Sequence, residues 1–437
     1  MTPYNPLRQL PQPAGYGPGD VLVLFGELFG RGYANGIIDE ARGKGMTIIG
    51  GTVGRRDADG MLRALNPEEL SAAEALLGGT IINVPLEAGF DLEPAGDGPS
   101  PSDQLKGKKP DDWQNIRLDW DAVNVSRQAG TARFTGNVAR FAAELEKMIP
   151  AGANVLFVHT MAGGMPRARV YMPLFNRMFK GQGERFLPTA AFWESDMGRL
   201  VRLSFDEVTA DTLKYLIDGT RGVREAVSSQ GGSVSYGAYG YHGCEVLIDG
   251  RYTWQSYIPY LPGWAKIGLE QHAMAAWEEG IPTTVFNAPE IQTNSSALFL
   301  GVEISLYPLL AALQKEGGGQ YADGILEECR QLLRDDVTPE AMLAEAEAYL
   351  SSPLLAPFRE YETWPHHNGK EQMELMLESS ARLLAMSRDP KEIVCAALSR
   401  AVFTGVGKLM FESMWRPSAP VYWLNHDIIA KRLAAEG

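Results

Sequence analysis

Cysteine is scarce in this chain. Only three occur in 437 residues, Cys244, Cys329 and Cys395. They are odd in number and far apart, so they give neither a disulfide framework nor a metal-binding spacing, and a reducing compartment is expected. Apolar runs long enough to cross a bilayer are missing, and the Pro/Gly-rich start (1–20) lacks the apolar stretch of a secretion signal. The expected location is the cytoplasm. Positive charge is also in short supply. The chain has 40 Lys+Arg against 54 Asp+Glu, a formal net charge of -14, which argues against nucleic acid or a membrane as partner. No repeat and no low-complexity segment appears. What is present is a globular composition, 45% hydrophobic and 22% charged, which can fill one large core or two ordinary ones.

Short apolar runs alternate with helical patterns from residue 20 onward. The run 20–26 has no polar alternation, as a buried parallel strand requires. It breaks into Gly26-Glu-Leu-Phe-Gly30-Arg31-Gly32, and a helix follows over 33–43. Glycines at such a turn let the backbone approach a pyrophosphate, and the helix start attracts the anion. The spacing is Gly-x3-Gly-x-Gly, not the standard Gly-x-Gly-x-x-Gly, and a plain strand-to-helix turn would read the same way.

The second strand, 46–50, lacks the carboxylate that normally follows it to hold the adenosine 2′-hydroxyl. Gly51-Thr52-Val-Gly-Arg55-Arg56 stands there instead. Guanidiniums can bind a 2′-phosphate bidentately, so NADP(H) is preferred as cofactor, with NAD(H) the alternative. The third strand, 80–84, ends in Asn83-Val84, a polar-apolar pair suited to an adenine ring. The fourth, 154–159, runs into Thr160-Met-Ala162-Gly163, where small residues leave room for a ligand. Further strands are expected at 233–236 and 281–286.

The predicted fold is α/β, a Rossmann-type doubly wound parallel sheet over 20–304, with insertions near 94–114 and 166–196. An N-terminal arm (1–19) precedes it. A helical C-terminal extension (305–437) follows, expected to cap the site or to build the interface of a homo-oligomer. The 166–196 insertion mixes Arg167, Arg169, Arg177, Lys180 and Arg185 with aromatic residues. It reads as a docking surface for an anionic partner or as a helical insertion packing its aromatic face inward.

Chemistry concentrates between Val234 and Thr293. Ser235-Tyr236-Gly237 reads as a strand end. Tyr257, Tyr260 and Lys266 follow, the lysine opening a helix. Asn287-Ala-Pro289-Glu-Ile291-Gln-Thr293 then forms a loop after the last strand. A free phenol titrates at about 10 and is a poor acid at neutral pH, but a nearby ammonium favours its ionised form. Such a pair can support an oxygen that becomes negative as hydride arrives. This is the layout of a nicotinamide-dependent reductase.

Taken together, these segments resemble the short-chain dehydrogenase/reductase superfamily over about residues 20–300. Gly26, Gly30 and Gly32 match its glycine turn, Asn83-Val84 its adenine contact, and Thr160-Met-Ala162-Gly163 its Asn-Asn-Ala-Gly segment. The likeness is greatest to the enoyl-acyl-carrier-protein reductases. Their loop is similar to 287–293, their strand end to Ser235-Tyr236-Gly237, and their helix start to Gly-Trp-Ala-Lys266. Eight residues separate Tyr257 from Lys266, as in the long enoyl reductases. Length and insertions look most like the atypical FabMG-type. The resemblance implies reduction of a trans-2-enoyl thioester on an acyl carrier protein or CoA, by hydride from NAD(P)H. It implies Tyr257 as the group that meets the enolate oxygen, Tyr260 as the alternative, Lys266 on the nicotinamide ribose, and Tyr236 lining the acyl pocket. It further implies that the basic, aromatic insertion meets the acidic carrier. A carbonyl reductase of the same superfamily is the competing reading, and a non-catalytic NADP sensor is a third.

Overall fold

The computed structural model describes residues 4–181, 183–240, 243–248, 250–256, 263–292, 301–317, 319–361, 363, 365, 367–389 and 394–435. Seven strands form its central sheet. They are β1 (Val21–Phe25), β2 (Thr47–Thr52), β3 (Thr80–Pro85), β4 (Val155–His159), β5 (Val234–Gly240), β6 (Thr283–Asn287) and β7 (Val421–Trp423). Their spatial order is β7-β6-β5-β4-β1-β2-β3 and every pairing is parallel. The strand order reverses between β1 and β4, which opens a crevice at their C-terminal ends, the usual ligand position in such sheets. β1, β4, β5 and β6 are buried along their whole length. Helices on both faces explain why these strands read as continuous apolar runs.

The doubly wound parallel sheet expected from the sequence is thus present. The segment after 305 is mainly helical, and it also returns to the sheet, because β7 pairs with β6. The N-terminal arm extends the same edge. Pro6 bridges Trp423, and Leu7 N donates to the Trp423 carbonyl at 2.8 Å. The helix after the glycine turn, α1 (Ala34–Gly43), packs against the long C-terminal helix α4 (Val394–Trp415), with α2 (Trp120–Glu146) and α3 (Gly263–Glu278) intervening in sequence. The α1–α4 crossing is backbone on backbone. A Cβ on Gly36 would lie 2.0 Å from the Phe403 carbonyl oxygen, and one on Gly407 would lie 2.2 Å from the Gly36 carbonyl carbon. By length and composition α4 could cross a membrane, but it is mostly buried inside the fold.

The two insertions pack on each other. Trp113 of the first is buried, with its ring 6.0 Å from Phe192 of the second. Tyr171, Phe175, Phe179 and Phe192 are all buried. Arg167 pairs with Glu87, and Arg177 with Asp111. The aromatic half of 166–196 is therefore core rather than surface. An antiparallel hairpin that the sequence reading lacked, Gly243–Ile248 with Arg251–Ser256, follows β5. Buried Glu245 on it takes hydrogen bonds from Tyr4, Arg8 and Asn425, so both chain ends are fastened to it.

Candidate active site

β1 runs into Gly26, whose φ of +135° suits glycine alone. A Cβ there would lie 2.3 Å from Thr160 Oγ1. Thr160 itself donates through its amide and its hydroxyl to the Phe25 carbonyl, at 3.0 and 3.1 Å. These bonds bring the ends of β1 and β4 together. Gly30, Arg31 and Gly32 lie on the open side of the turn, with free space where a Cβ on either glycine would stand. Asn35 Nδ2 donates to the carbonyls of Phe29 and Gly32 at 3.0 and 3.1 Å and fixes the loop. A cavity of about 260 Å³ opens across this edge, lined among others by Glu27, Val53, Arg56, Thr160, Ala162 and Arg167. Gly163 continues it with φ +96°, its carbonyl held by Thr209 Oγ1 at 2.8 Å. An open turn, a crevice and a helix start are features that suit a phosphate-bearing ligand in such sheets.

Thr52, Arg55 and Arg56 all reach this edge, but their partners are carboxylates. Arg55 grips Glu27 with two bonds, 2.8 and 3.0 Å, and Thr52 Oγ1 donates to the same glutamate at 3.1 Å. Arg56 holds Glu87 at 2.7 Å through Nε. Both guanidiniums proposed for a 2′-phosphate are thus engaged within the protein. Asn83 is a correction. Its side chain accepts from Leu65 N and donates to Leu65 O, both at 2.8 Å, so its carboxamide fastens the preceding loop to β3 instead of standing free for an adenine. Val84 beside it is buried in the core.

Ser235 and Tyr236 are a second correction. β5 does not end at Gly237 but runs to Gly240. In register, Ser235 and Tyr236 pair with Leu156 and Phe157, whereas the edge residue His159 pairs with Ala238. Ser235 Oγ faces the Met414 carbonyl at 3.4 Å. The Tyr236 hydroxyl is buried between Thr220 Oγ1 and Arg224 Nη1, at 2.7 and 2.8 Å. Neither reaches the crevice, so Tyr236 does not line an acyl pocket. The tyrosine that stands at the edge is Tyr239. It is buried, its hydroxyl lacks a partner among the described residues, and its ring stacks on Tyr33 at 5.4 Å. Burial pushes the Tyr239 phenol far above its ordinary value.

Lys266, near the start of α3, is fully buried at the same edge and donates to the Tyr239 carbonyl at 2.6 Å. Burial brings its ammonium down to about 7, with Glu270 one turn further on pulling the other way. Asn287, the last residue of β6, donates to Glu270 Oε1 at 2.7 Å. Pro289 and Ile291 are buried just beyond it. The Pro289 carbonyl accepts from Tyr33, and Gln292 N donates to Ser399 Oγ of α4 at 2.8 Å. Tyr257, Tyr260 and Thr293 lie outside the described residues.

The sequence reading missed Glu27, Tyr33 and Tyr239. Tyr239 was findable in principle, because Ala-Tyr-Gly repeats the Ser-Tyr-Gly pattern three residues on. Glu27 carried no local signal, since its partners lie on another strand. His159, at the tip of β4, is buried with Nε2 2.9 Å from Thr212 Oγ1, and burial followed by repulsion from Lys266 depresses its titration.

Residues 3–433 match the family model for enoyl-acyl carrier protein reductase FabMG. Two solved structures resemble the chain over its full length. One, an apo structure of FabMG described as a novel type of enoyl-acyl carrier protein reductase, is 49% identical, with a TM-score of 0.96 and coverage of 100% of this chain and 99% of that one. The other, an NADH-bound structure of FabMG, is 40% identical, with a TM-score of 0.80 and full coverage of both chains. No curated protein matches the chain. An open glycine turn and a buried lysine at one edge of a parallel sheet therefore sit in a chain that belongs to the FabMG family of enoyl-acyl carrier protein reductases.

Proposed function

We propose that this chain reduces the double bond of trans-2-enoyl thioesters on an acyl carrier, with Lys266 and Tyr257 as its working pair. The observation that carries the reading is Lys266, a buried amine at the C-terminal edge of β5, on the sheet edge where β1 gives way to the Gly26 turn. Burying such a group is costly, and groups held in the fold at such a cost cluster at functional sites. When bound, the nicotinamide dinucleotide supplies a hydride for the β-carbon of the enoyl group. The turn at Gly26, Gly30 and Gly32 and the start of α1 hold its pyrophosphate. Lys266 holds the nicotinamide ribose, and its charge lowers the pKa of Tyr257. Tyr257 then hydrogen-bonds the thioester oxygen as negative charge collects there. Tyr260 is the alternative donor. The buried loop of Pro289 and Ile291 closes the nicotinamide end, held by Tyr33 and Ser399.

Oxidation of NADH or NADPH with crotonyl-CoA and with acetoacetyl-CoA tests the reading. Turnover of crotonyl-CoA alone supports it. Turnover of the ketone alone would make the chain a carbonyl reductase.

A further inference from the structure

We infer that Glu27 reads the adenosine ribose of the cofactor, accepting a hydrogen bond from its 2′-hydroxyl and excluding a 2′-phosphate. The inference rests on the dinucleotide site proposed above and adds to it the choice between NADH and NADPH.

In the standard dinucleotide fold the discriminating carboxylate follows β2, roughly twenty residues after the glycine turn. Here no acid follows β2 directly; Val53, Gly54, Arg55 and Arg56 do. The carboxylate arrives instead from the neighbouring strand, at the end of β1. Glu27 follows Gly26 directly and lies 25 residues before Thr52, yet its side chain reaches Thr52 at the tip of β2. It lines the cavity with Val53 and Thr160 and is only 10% exposed.

Its orientation is fixed by four donors. Oε2 accepts from Thr52 Oγ1, Val53 N and Arg55 Nη1, at 3.1, 3.3 and 3.0 Å. Among the described residues Oε1 accepts only from Arg55 Nη2, at 2.8 Å. A carboxylate oxygen can accept about two bonds, so Oε2 is saturated and Oε1 keeps one position for a ligand hydroxyl. A hydroxyl can donate there. A phosphate brings negative charge and acceptor oxygens to a group that can only accept. The nearby guanidiniums do not reverse this, because Arg55 is neutralised by Glu27 itself and Arg56 by Glu87.

Calorimetric titration of the intact chain with NADH, NADPH and NAD+ tests the inference. The wild type is expected to bind NADH on the order of a hundredfold more tightly than NADPH. Glu27→Gln keeps the shape, removes the charge and frees Arg55, so the ratio should fall to about tenfold or below, with NADPH gaining. If that variant does not fold, Arg55→Ala decides. It leaves the carboxylate uncompensated, so discrimination against NADPH should be kept or increased. Equal or better binding of NADPH by the wild type overturns the inference, as does an unchanged ratio in Glu27→Gln or a reversed ratio in Arg55→Ala. If the wild type binds none of the three nucleotides, the dinucleotide site itself fails. If NADH binds and the ratio is indifferent to Glu27, only the present inference fails.

Discussion

Replacing Lys266 with methionine separates the cost of the buried ammonium from its use. A free lysine titrates at 10.5, and in the fold this one titrates at about 7 because it is sealed from water. Between those values the unfolded chain binds more protons than the folded one, so this group makes the fold more stable as pH rises through the window. Below about pH 7 the full penalty applies. Each pH unit of displacement is worth about 1.4 kcal/mol, so the wild type should gain roughly 2.5 kcal/mol from this group between about pH 6 and pH 9. Lys266→Met fills the same space without charge and lacks this component. It gives up the bond to the Tyr239 carbonyl, a cost of about 1–3 kcal/mol that does not depend on pH. Urea unfolding of both proteins at the two pH values gives the double difference, in which all other titrating groups cancel. The stability gap should move by roughly 2.5 kcal/mol toward the wild type as pH rises. Parallel curves would show that Lys266 is not buried as described. The variant should also lose turnover and bind NADH more weakly, even where it is the more stable protein.

Other substitutions probe the rest of the site. Tyr257→Phe should lower kcat by about a hundredfold or more with NADH affinity kept, and Tyr260→Phe should leave kcat near wild type; the opposite pattern in a steady-state assay would move the donor role to Tyr260. Gly26→Ala should cost about 2 kcal/mol or more and weaken nucleotide binding, because its backbone lies at φ +135° and its Cβ would meet Thr160 Oγ1 at 2.3 Å. Wild-type melting and NADH titration in that variant would contradict the turn geometry. Ser399→Ala leaves the Gln292 amide without its acceptor and should cost about 1–3 kcal/mol while raising the NADH Kd. Loss of stability with unchanged Kd would mean that the 288–292 loop is not part of the nicotinamide site.

The sheet was legible because its strands are short, continuously apolar and separated by helical patterns, as burial on both faces demands. The glycine turn was legible for the same local reason, and so was Lys266 at a helix start. The end of β5 was not. Ser235-Tyr236-Gly237 looks like a strand giving way to small residues, yet Gly237 pairs with both neighbouring strands, opposite Val158 of β4 and Thr284 of β6. The strand therefore continues past Tyr239 to Gly240, and the edge moves with it. Arg55 and Arg56 were visible as charges, but their partners Glu27 and Glu87 are set by the fold. Asn83 sits where an adenine contact was expected and spends its hydrogen bonds on Leu65, a pairing across eighteen residues that no local pattern announces. β7 has only three residues and gains its place from the β6 edge and the N-terminal arm.

The C-terminal helices are therefore part of the site's support. α4 touches α1 backbone to backbone at Gly36 and Gly407, and its Lys408 pairs with Glu40 of α1 at 2.7 Å. The position of α1 sets the position of the glycine turn before it. A little over two helical turns earlier, α4 holds the loop after β6 through Ser399, and Tyr33 ties that loop to the start of α1. A single helix from the far end of the chain thus bears on the two loops proposed to meet the pyrophosphate and the nicotinamide. Interiors are close-packed, so a displacement of α4 cannot be absorbed locally and must move both loops together. Damage to the α1–α4 crossing should accordingly reach nucleotide affinity through geometry, although no residue of α4 is proposed to touch the cofactor.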